Sequence, residues 1–290
     1  MNVRDLLAEG RTHLAAAGID NARLDARVLL GAALGVAPGS VPNMSGEVGA
    51  AQRARFEGWI KRRMGREPIA YILGSKEFWS LEFCVGPGVL VPRPDSETLI
   101  EAARDVFAHT PGPNIIGDLG CGSGCLIITA LRLWPLARGV AFDLSERALD
   151  YTRINAGHLG VAERLETRLC DFNQAEGQFD LVLCNPPYLR ESELADAPAE
   201  LGFEPKLALT AGADGLNAYR VLGVILPQIL RPHAIAVVEL GAGQLAPVEQ
   251  EFLAAGLDVV GVQPDLSKVP RALIAQRAGK KVVGMRGPRG

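Results

Sequence analysis

Along the first 75 residues apolar positions recur at helical spacing: Val3, Leu6, Leu7 and Leu14, then Leu24, Val28 and Leu29, then Phe56, Trp59, Ile60 and Met64. The breakers Gly35, Pro38, Gly39 and Pro42 separate the second run from the third. The pattern predicts a small helical domain over residues 1–75. From residue 76 to 91 the period shortens to that of a strand, with Phe78, Trp79, Leu81, Phe83 and Val85, the breaker Gly86-Pro87-Gly88, and then Val89-Leu90-Val91. A β-hairpin linker over residues 76–92 is expected. Asp95 or Ser96 then stands where an N-cap is needed, ahead of a helix running through Leu99, Ile100, Ala103 and Phe107.

Residues 93–290 alternate short apolar runs with helical stretches. The runs fall at 115–119, 140–143, 165–170, 179–184, 235–240 and 257–262. Strands alternating with helices in this way predict an α/β, doubly wound, mostly parallel sheet covered on both faces. Only residues 263–270 separate Val262 from a seventh run at 272–275, too few for a crossover helix. The last strand is therefore expected to be antiparallel to its neighbour. Residues 280–290 carry Lys280, Lys281, Arg286 and Arg289 with no acidic residue, the pattern of a frayed tail.

Composition narrows the function classes. The chain has 290 residues, 48% hydrophobic and 22% charged, which suffices for a sizeable core without disulfides or metals. A net charge of −3 argues against direct nucleic-acid binding through a dominant electrostatic term. Arg4, Asp5, Glu9 and Arg11 interrupt the first apolar stretch, so it resembles neither a signal peptide nor a membrane span, and a cytoplasmic protein without membrane contact is expected. The five cysteines include no C-x-x-C pair and the four histidines lie far apart, so no disulfide framework or metal site is expected. Arg53, Arg55, Lys61, Arg62, Arg63 and Arg66 cluster in the third helical run. They read as a solvated basic face or, more sharply, as a docking face for a partner.

Asp118-Leu119-Gly120-Cys121-Gly122-Ser123-Gly124 follows the first strand of the sheet and opens a helix near Cys125. Glycines there let backbone approach a ligand, with N–H groups and the helix dipole aimed at it. A dinucleotide fingerprint needs glycine where Cys125 stands, and no G-K-[ST] follows, so neither a nicotinamide dehydrogenase nor a P-loop fits. Asp143, 23 residues after Gly120, ends the second strand, where a carboxylate can accept from both hydroxyls of a ribose.

The fourth strand delivers Asn185-Pro186-Pro187-Tyr188 at its C-terminal end, the edge at which open α/β sheets bind ligands. The prolines remove two N–H donors, leaving carbonyls without local competition, and Asn185 adds a side-chain carbonyl. Such acceptors can grip an NH₂ group while the Tyr188 ring stacks on the plane that bears it. The chemistry that needs this is methyl transfer to a planar, weakly nucleophilic nitrogen, aligned by positioning rather than by a general base.

At these residues the chain resembles S-adenosylmethionine-dependent methyltransferases of the Asn-Pro-Pro-Tyr group. Tyr71-Ile72-Leu73-Gly74, Glu77-Phe78-Trp79-Ser80-Leu81, Val89-Leu90-Val91-Pro92-Arg93-Pro94-Asp95-Ser96-Glu97, Phe203-Glu204-Pro205 and the stretch 212–215 are similar to the peptide chain release factor glutamine methyltransferase family. The resemblance covers about residues 24–276 and implies a seven-stranded Rossmann-like methyltransferase sheet over residues 93–290. It further implies S-adenosylmethionine as cofactor, a helical substrate-binding domain over residues 1–75, and methylation of the glutamine amide in a release factor's Gly-Gly-Gln motif. Cofactor contacts would come from Asp118, Gly120, Cys121, Gly122, Ser123, Gly124, Asp143, Phe172 and Asn185. Substrate would lie against Asn185, Pro186, Pro187 and Tyr188, with Asn185, Pro186 and Tyr188 carrying the catalysis. The chain is expected to act as a monomer. Phe172 stands where a tryptophan is frequent, and Cys121 and Cys125 replace residues more often Thr and Ala.

Two rivals belong to the same superfamily. A methyltransferase acting on a ribosomal protein's glutamine typically reads Pro-Arg-Ser-Pro where this chain has Pro92-Arg93-Pro94-Asp95, and a base N-methyltransferase calls for a basic surface. Three further residues admit two readings each. Cys125, at a helix N-terminus, is a reactive thiol or a small packing residue. Glu239 is a site residue or a solvated strand-end carboxylate, and Arg93 a brace for the substrate loop or a structural ion pair. Residues 189–213 read as a flap over the substrate.

Overall fold

The computed structural model describes residues 1–279, so the basic tail lies outside the described residues. The chain divides into two compact units, Met1–Ser75 with Pro198–Phe203, and Lys76–Ala197 with Glu204 onward.

The first unit is helical. Helix α1 (Val3–Ala16) starts at Asn2, whose side chain accepts from Asp5 N, and is followed by α2 (Ala22–Leu34), α3 (Ala50–Met64) and α4 (Ile69–Leu73). Their apolar faces bury Leu6, Leu14, Leu29, Leu30, Phe56 and Ile60. Gly10 lets α1 approach α3 closely, because a Cβ there would sit 2.5 Å from the Phe56 ring. Leu24 and Met64, in register with the core by spacing, are exposed.

The basic face of α3 stays solvated at Arg55, Lys61 and Arg62, which are exposed, but Arg63 is withdrawn from it. Arg63 is 8% exposed and pairs with Asp25 and Glu200, each at 2.8 Å. Arg62 grips Glu67, Arg53 pairs with Glu57, and Arg66 donates to the carbonyls of Ala17 and Gly18. Arg55 lies over the Trp59 ring. Most of these cations therefore serve the unit's own structure, which is what a guanidinium does when acids and open helix-end carbonyls are within reach.

In the second unit, β1 (Ser75–Phe78) and β2 (Leu81–Cys84) form a hairpin around Trp79 and Ser80, both at positive φ. Residues 89–91 form no strand, contrary to the alternation of the sequence, because the Val91 N–H donates to the Glu204 carboxylate at 3.0 Å instead of to a ladder. Helix α5 (Glu97–Phe107) begins after Ser96, but the Ser96 hydroxyl does not cap it.

The large sheet comprises β3 (Ile115–Leu119), β4 (Arg138–Asp143), β5 (Leu165–Leu169), β6 (Phe179–Cys184), β7 (Leu230–Glu239), β8 (Leu257–Pro264) and β9 (Pro270–Arg277), in the order β5-β4-β3-β6-β7-β9-β8. The first five are parallel, and β9 runs antiparallel to both β7 and β8. Helices α6 (Cys125–Leu133) and α7 (Glu146–His158) join α5 on one face, and α8 (Asn217–Ile229) and α9 (Leu245–Ala254) cover the other. The central strands are buried on both faces, which explains their unbroken apolar runs. The chain leaves β3 toward β4 and β5, then returns to β6 on the other side of β3. That reversal opens a crevice at the carboxyl ends of β3 and β6. Among the described residues no helix is long and apolar enough to cross a membrane.

Candidate active site

Strand register builds the site. Leu119 pairs with Phe142 on one side and Cys184 on the other, and Cys184 pairs with Val238. The next residue on each strand is Asp143 on β4, Gly120 after β3, Asn185 after β6 and Glu239 on β7, so four chemically distinct groups stand at one level across four adjacent strands.

The glycine loop is held from three sides. Gly120 N and Cys121 N donate to Phe142 O at 2.8 and 3.0 Å. The Asp143 carboxylate accepts from Gly122 N and Ser145 N, both at 2.9 Å, one on each oxygen. From α7, Thr152 Oγ1 donates to Gly122 O at 3.0 Å and Asn155 Nδ2 to Ser123 O at 2.8 Å. Gly120 has φ of 75°, and a Cβ there would come within 2.9 Å of the Phe172 ring, so glycine is required for loop and ring to meet. Burial raises the Asp143 pKa, while the backbone N–H groups act in the opposite direction.

Beside the loop is a cavity of about 570 Å³, of the size that takes a small-molecule ligand. Gly120, Cys121, Gly122, Ser123, Asp143, Phe172, Asn185 and Pro187 are in its wall. Asp118, Gly124, Pro186 and Tyr188 are not. Asp118 is fully buried behind the wall, where its Oδ2 accepts from Ile127 N and its Oδ1 has no partner among the described residues. Burial pushes its pKa up to about 8.

Two family models match the chain, the PrmC N-terminal domain over residues 5–74 and the methyltransferase small domain over residues 97–201. The chain is 41% identical to a release factor glutamine methyltransferase of Cereibacter sphaeroides over 95% of its own length and 99% of that protein. Proteins of the same description from Rhodospirillum rubrum and Bradyrhizobium diazoefficiens are 38% and 40% identical, covering 94% and 91% of this chain and 84% and 91% of their own. The chain belongs to the release factor glutamine methyltransferase family.

In this family member the acceptor end of the site is sharply defined. Asn185 Nδ2 donates to Ser96 Oγ at 3.0 Å, and Oδ1 makes no hydrogen bond among the described residues. Nor do the carbonyls of Asn185, Pro186 and Pro187 accept from any protein donor there. Tyr188 is tied back through its backbone, N to Leu209 O and O from Gln244 Nε2. Its half-buried ring packs at Gly241, where an added Cβ would lie 2.9 Å from Cδ2. Burial and the neighbouring Glu239 charge push its hydroxyl up to about 12.

Glu239 is not a solvated strand end: it is 1% exposed. Its Oε2 accepts from the Ser96 hydroxyl at 2.5 Å. Burial raises its pKa to about 7, against the Ser96 hydrogen bond and the Arg271 charge. Arg93 forms an ion pair with Glu204 at 2.6 Å, and the same carboxylate holds Val91 N, tying the residue 204 end of the flap to the segment after the hairpin. Burial pushes the Cys125 thiol up to about 12, so it is no activated nucleophile. No three His, Cys, Asp or Glu side chains gather in metal-binding geometry among the described residues.

Sequence reasoning missed Ser96, Thr152, Asn155 and Gln244. Thr152 and Asn155 are fully buried polar residues three apart on one face of α7, a signal visible in principle. Ser96 was concealed by its place at a helix start.

Proposed function

We propose that this chain transfers the methyl group of S-adenosylmethionine to the side-chain amide nitrogen of the glutamine in the Gly-Gly-Gln motif of peptide chain release factors. The observation that carries the reading is the cluster of acceptors without a partner among the described residues, Asn185 Oδ1 and the carbonyls of residues 185–187, at the end of the strand beside the glycine loop. The names of the relatives support the same substrate.

The residues present fit the cofactor. Asp143 spends one acceptor position on Gly122 of the loop and one on Ser145 ahead of α7, and keeps others for two ribose hydroxyls. Phe172 offers an apolar ring in the cavity wall against which an adenine can lie. The loop backbone, free of Cβ at Gly120 and Gly122, lets a ligand approach closely. Asp118 anchors the first turn of α6 through Ile127 N behind the site, and Cys121 and Ser123 complete the cavity wall. When bound, S-adenosylmethionine supplies an electrophilic methyl group on a sulfonium.

An amide NH₂ has two hydrogens in its plane and a lone pair delocalised into the carbonyl. Accepting both hydrogens, by Asn185 Oδ1 and the carbonyl of Pro186, fixes that plane and turns the nitrogen's π face toward the methyl carbon. With the cofactor bound, the new N–CH₃ bond would form as the sulfonium S–CH₃ bond breaks, leaving S-adenosylhomocysteine as the neutral thioether, and the displaced amide proton would pass to water; the residues contribute orientation, worth up to several kcal/mol of a barrier. Pro187 lines the pocket, and Tyr188 acts from outside its wall through the backbone ties that hold residues 185–188 in place. The helical unit is assigned the grip on the protein substrate, through a broad surface rather than through isolated cations, because in α3 and just after it Arg53, Arg62, Arg63 and Arg66 are internally paired.

The test is transfer of isotope-labelled methyl from S-adenosylmethionine to purified release factor. Label on the Gly-Gly-Gln glutamine, and none on a release factor with that glutamine replaced, is the expected result. Absence of label in the unaltered factor overturns the proposal.

A further inference from the structure

Three residues far apart in sequence form one chain of hydrogen bonds at the acceptor end of the site, running from the half-buried Asn185 at the cavity wall into the buried Ser96 and Glu239. Asn185 Nδ2 donates to Ser96 Oγ at 3.0 Å, and Ser96 Oγ donates to Glu239 Oε2 at 2.5 Å. Ser96 is 2% exposed and Glu239 1%, so water does not compete for either. The arrangement decides which way the Asn185 amide faces. A serine hydroxyl has a single proton. With Glu239 ionised that proton is committed to the carboxylate, so Ser96 Oγ can only accept from its other neighbour. Asn185 must then present NH₂ to Ser96, and its carbonyl oxygen is left for the substrate.

We infer that Ser96 and Glu239 are positioning residues that lock the Asn185 side chain with its oxygen toward the substrate amide. Resting on the methyl-transfer reading above, this assigns them a role in the rate of transfer rather than in cofactor binding. Protonation of Glu239 releases the lock: its carboxyl can donate to Ser96, Ser96 can donate to Asn185 Oδ1, and the amide can turn over to set NH₂ against a substrate NH₂. Two donors then face each other and the nitrogen loses its alignment.

The surroundings of Glu239 place this change within reach of ordinary pH. Burial raises its pKa to about 7, opposed by the Ser96 hydrogen bond and the Arg271 charge, while Asp95 raises it and the Tyr188 hydroxyl lowers it. Arg271 itself is shared with Asp265 at 3.1 Å and Asp95 at 3.6 Å, so its charge is only partly available. Tyr219, Cys125 and Cys184 also feel the Glu239 charge, and burial keeps all three in their neutral forms. Because the folded pKa is raised, the locked state fills as pH rises through about 7 and empties below it.

Two readouts test the inference on the full chain. The first needs no turnover: the side-chain NH₂ resonances of Asn185, identified by their loss in Asn185→Asp, are followed by NMR across pH 6 to 8 in the S-adenosylhomocysteine complex. They are expected to titrate in the wild type and to stay fixed in Glu239→Gln, a near-isosteric change that keeps an acceptor for Ser96. The second is single-turnover methyl transfer. Ser96→Ala is expected to lose on the order of tenfold to a hundredfold in rate, as for a misaligned reacting group, with cofactor affinity within about twofold. Glu239→Gln is expected to lose the acidic limb of the pH profile that the wild type shows. Asn185 resonances that do not move, or that move alike in Glu239→Gln, overturn the lock whatever the substrate. A wild type that transfers no methyl to release factor instead overturns the function on which the rate prediction rests.

Discussion

Asp143→Asn isolates the contribution of a carboxylate that serves two structures at once. In the wild type each oxygen takes one backbone N–H at 2.9 Å, from Gly122 and from Ser145, and the remaining acceptor positions are assigned to the cofactor ribose. An amide has one oxygen, so one of those backbone donors must face an NH₂ group. Leaving a buried donor unpaired costs about 1–3 kcal/mol, which predicts a lower urea midpoint for the ligand-free protein. Hydrogen bonds to a charged acceptor contribute about 1.5–3 kcal/mol, against about 0.5–1.5 for neutral ones. Losing the charge and one oxygen toward the ribose therefore weakens binding by about 1.5–3 kcal/mol, or about tenfold to somewhat over a hundredfold. Titration calorimetry with S-adenosylhomocysteine measures this without turnover. A dissociation constant within twofold of wild type would refute the ribose assignment, and an unchanged urea midpoint would refute the role in holding the loop.

Asp118 gives a stability prediction with a defined sign. Its folded pKa, pushed up to about 8 by burial from the usual 3.8, means that between those values the unfolded chain has lost a proton the native state retains. Stability must therefore fall as pH rises through that window, by up to about 1.4 kcal/mol per pH unit from this group. Asp118→Asn should flatten the slope, and urea denaturation at pH 5 and pH 8 showing equal slopes in both proteins would contradict it. In the helical unit, Arg63→Met strands Asp25 and Glu200 and should destabilise by about 3–5 kcal/mol; a urea-derived loss below about 1 kcal/mol would show the pairs to be dispensable. Tyr188→Phe removes a group that lowers the Glu239 pKa, so the acidic limb of the pH profile should move to higher pH, and an unmoved limb rules out that coupling.

The sheet was legible because its chemistry is local. Parallel strands buried on both faces carry unbroken apolar runs, and the short connection after Val262 left β9 only an antiparallel place. Strand β7 begins earlier than its apolar run, since Pro232 and His233, the latter at φ 68°, break the alternation and shift the register with β6. The glycine loop, Asp143 and Asn185 were readable for a similar reason: turns and strand ends impose residue types. What escaped was set by contacts between distant segments. The Ser96 hydroxyl looks like a cap until β7 brings Glu239 beside it. The basic run of α3 looks solvated until Asp25, 38 residues earlier, and Glu200 close on Arg63. The strand register that aligns Asp143 with Asn185 also aligns Glu239 with them.

The central claim is that the site works by orienting a weakly nucleophilic nitrogen, and Asn185→Ala tests it most directly. A neutral hydrogen bond contributes only about 0.5–1.5 kcal/mol to binding, whereas misplacing a reacting atom by about 1 Å can cost on the order of a hundredfold in rate. Single-turnover methyl transfer to release factor and S-adenosylhomocysteine affinity are to be measured on the same folded variant. The account predicts a rate loss far larger than the loss of affinity. Transfer near the wild-type rate, or an affinity loss that equals the rate loss, would contradict it.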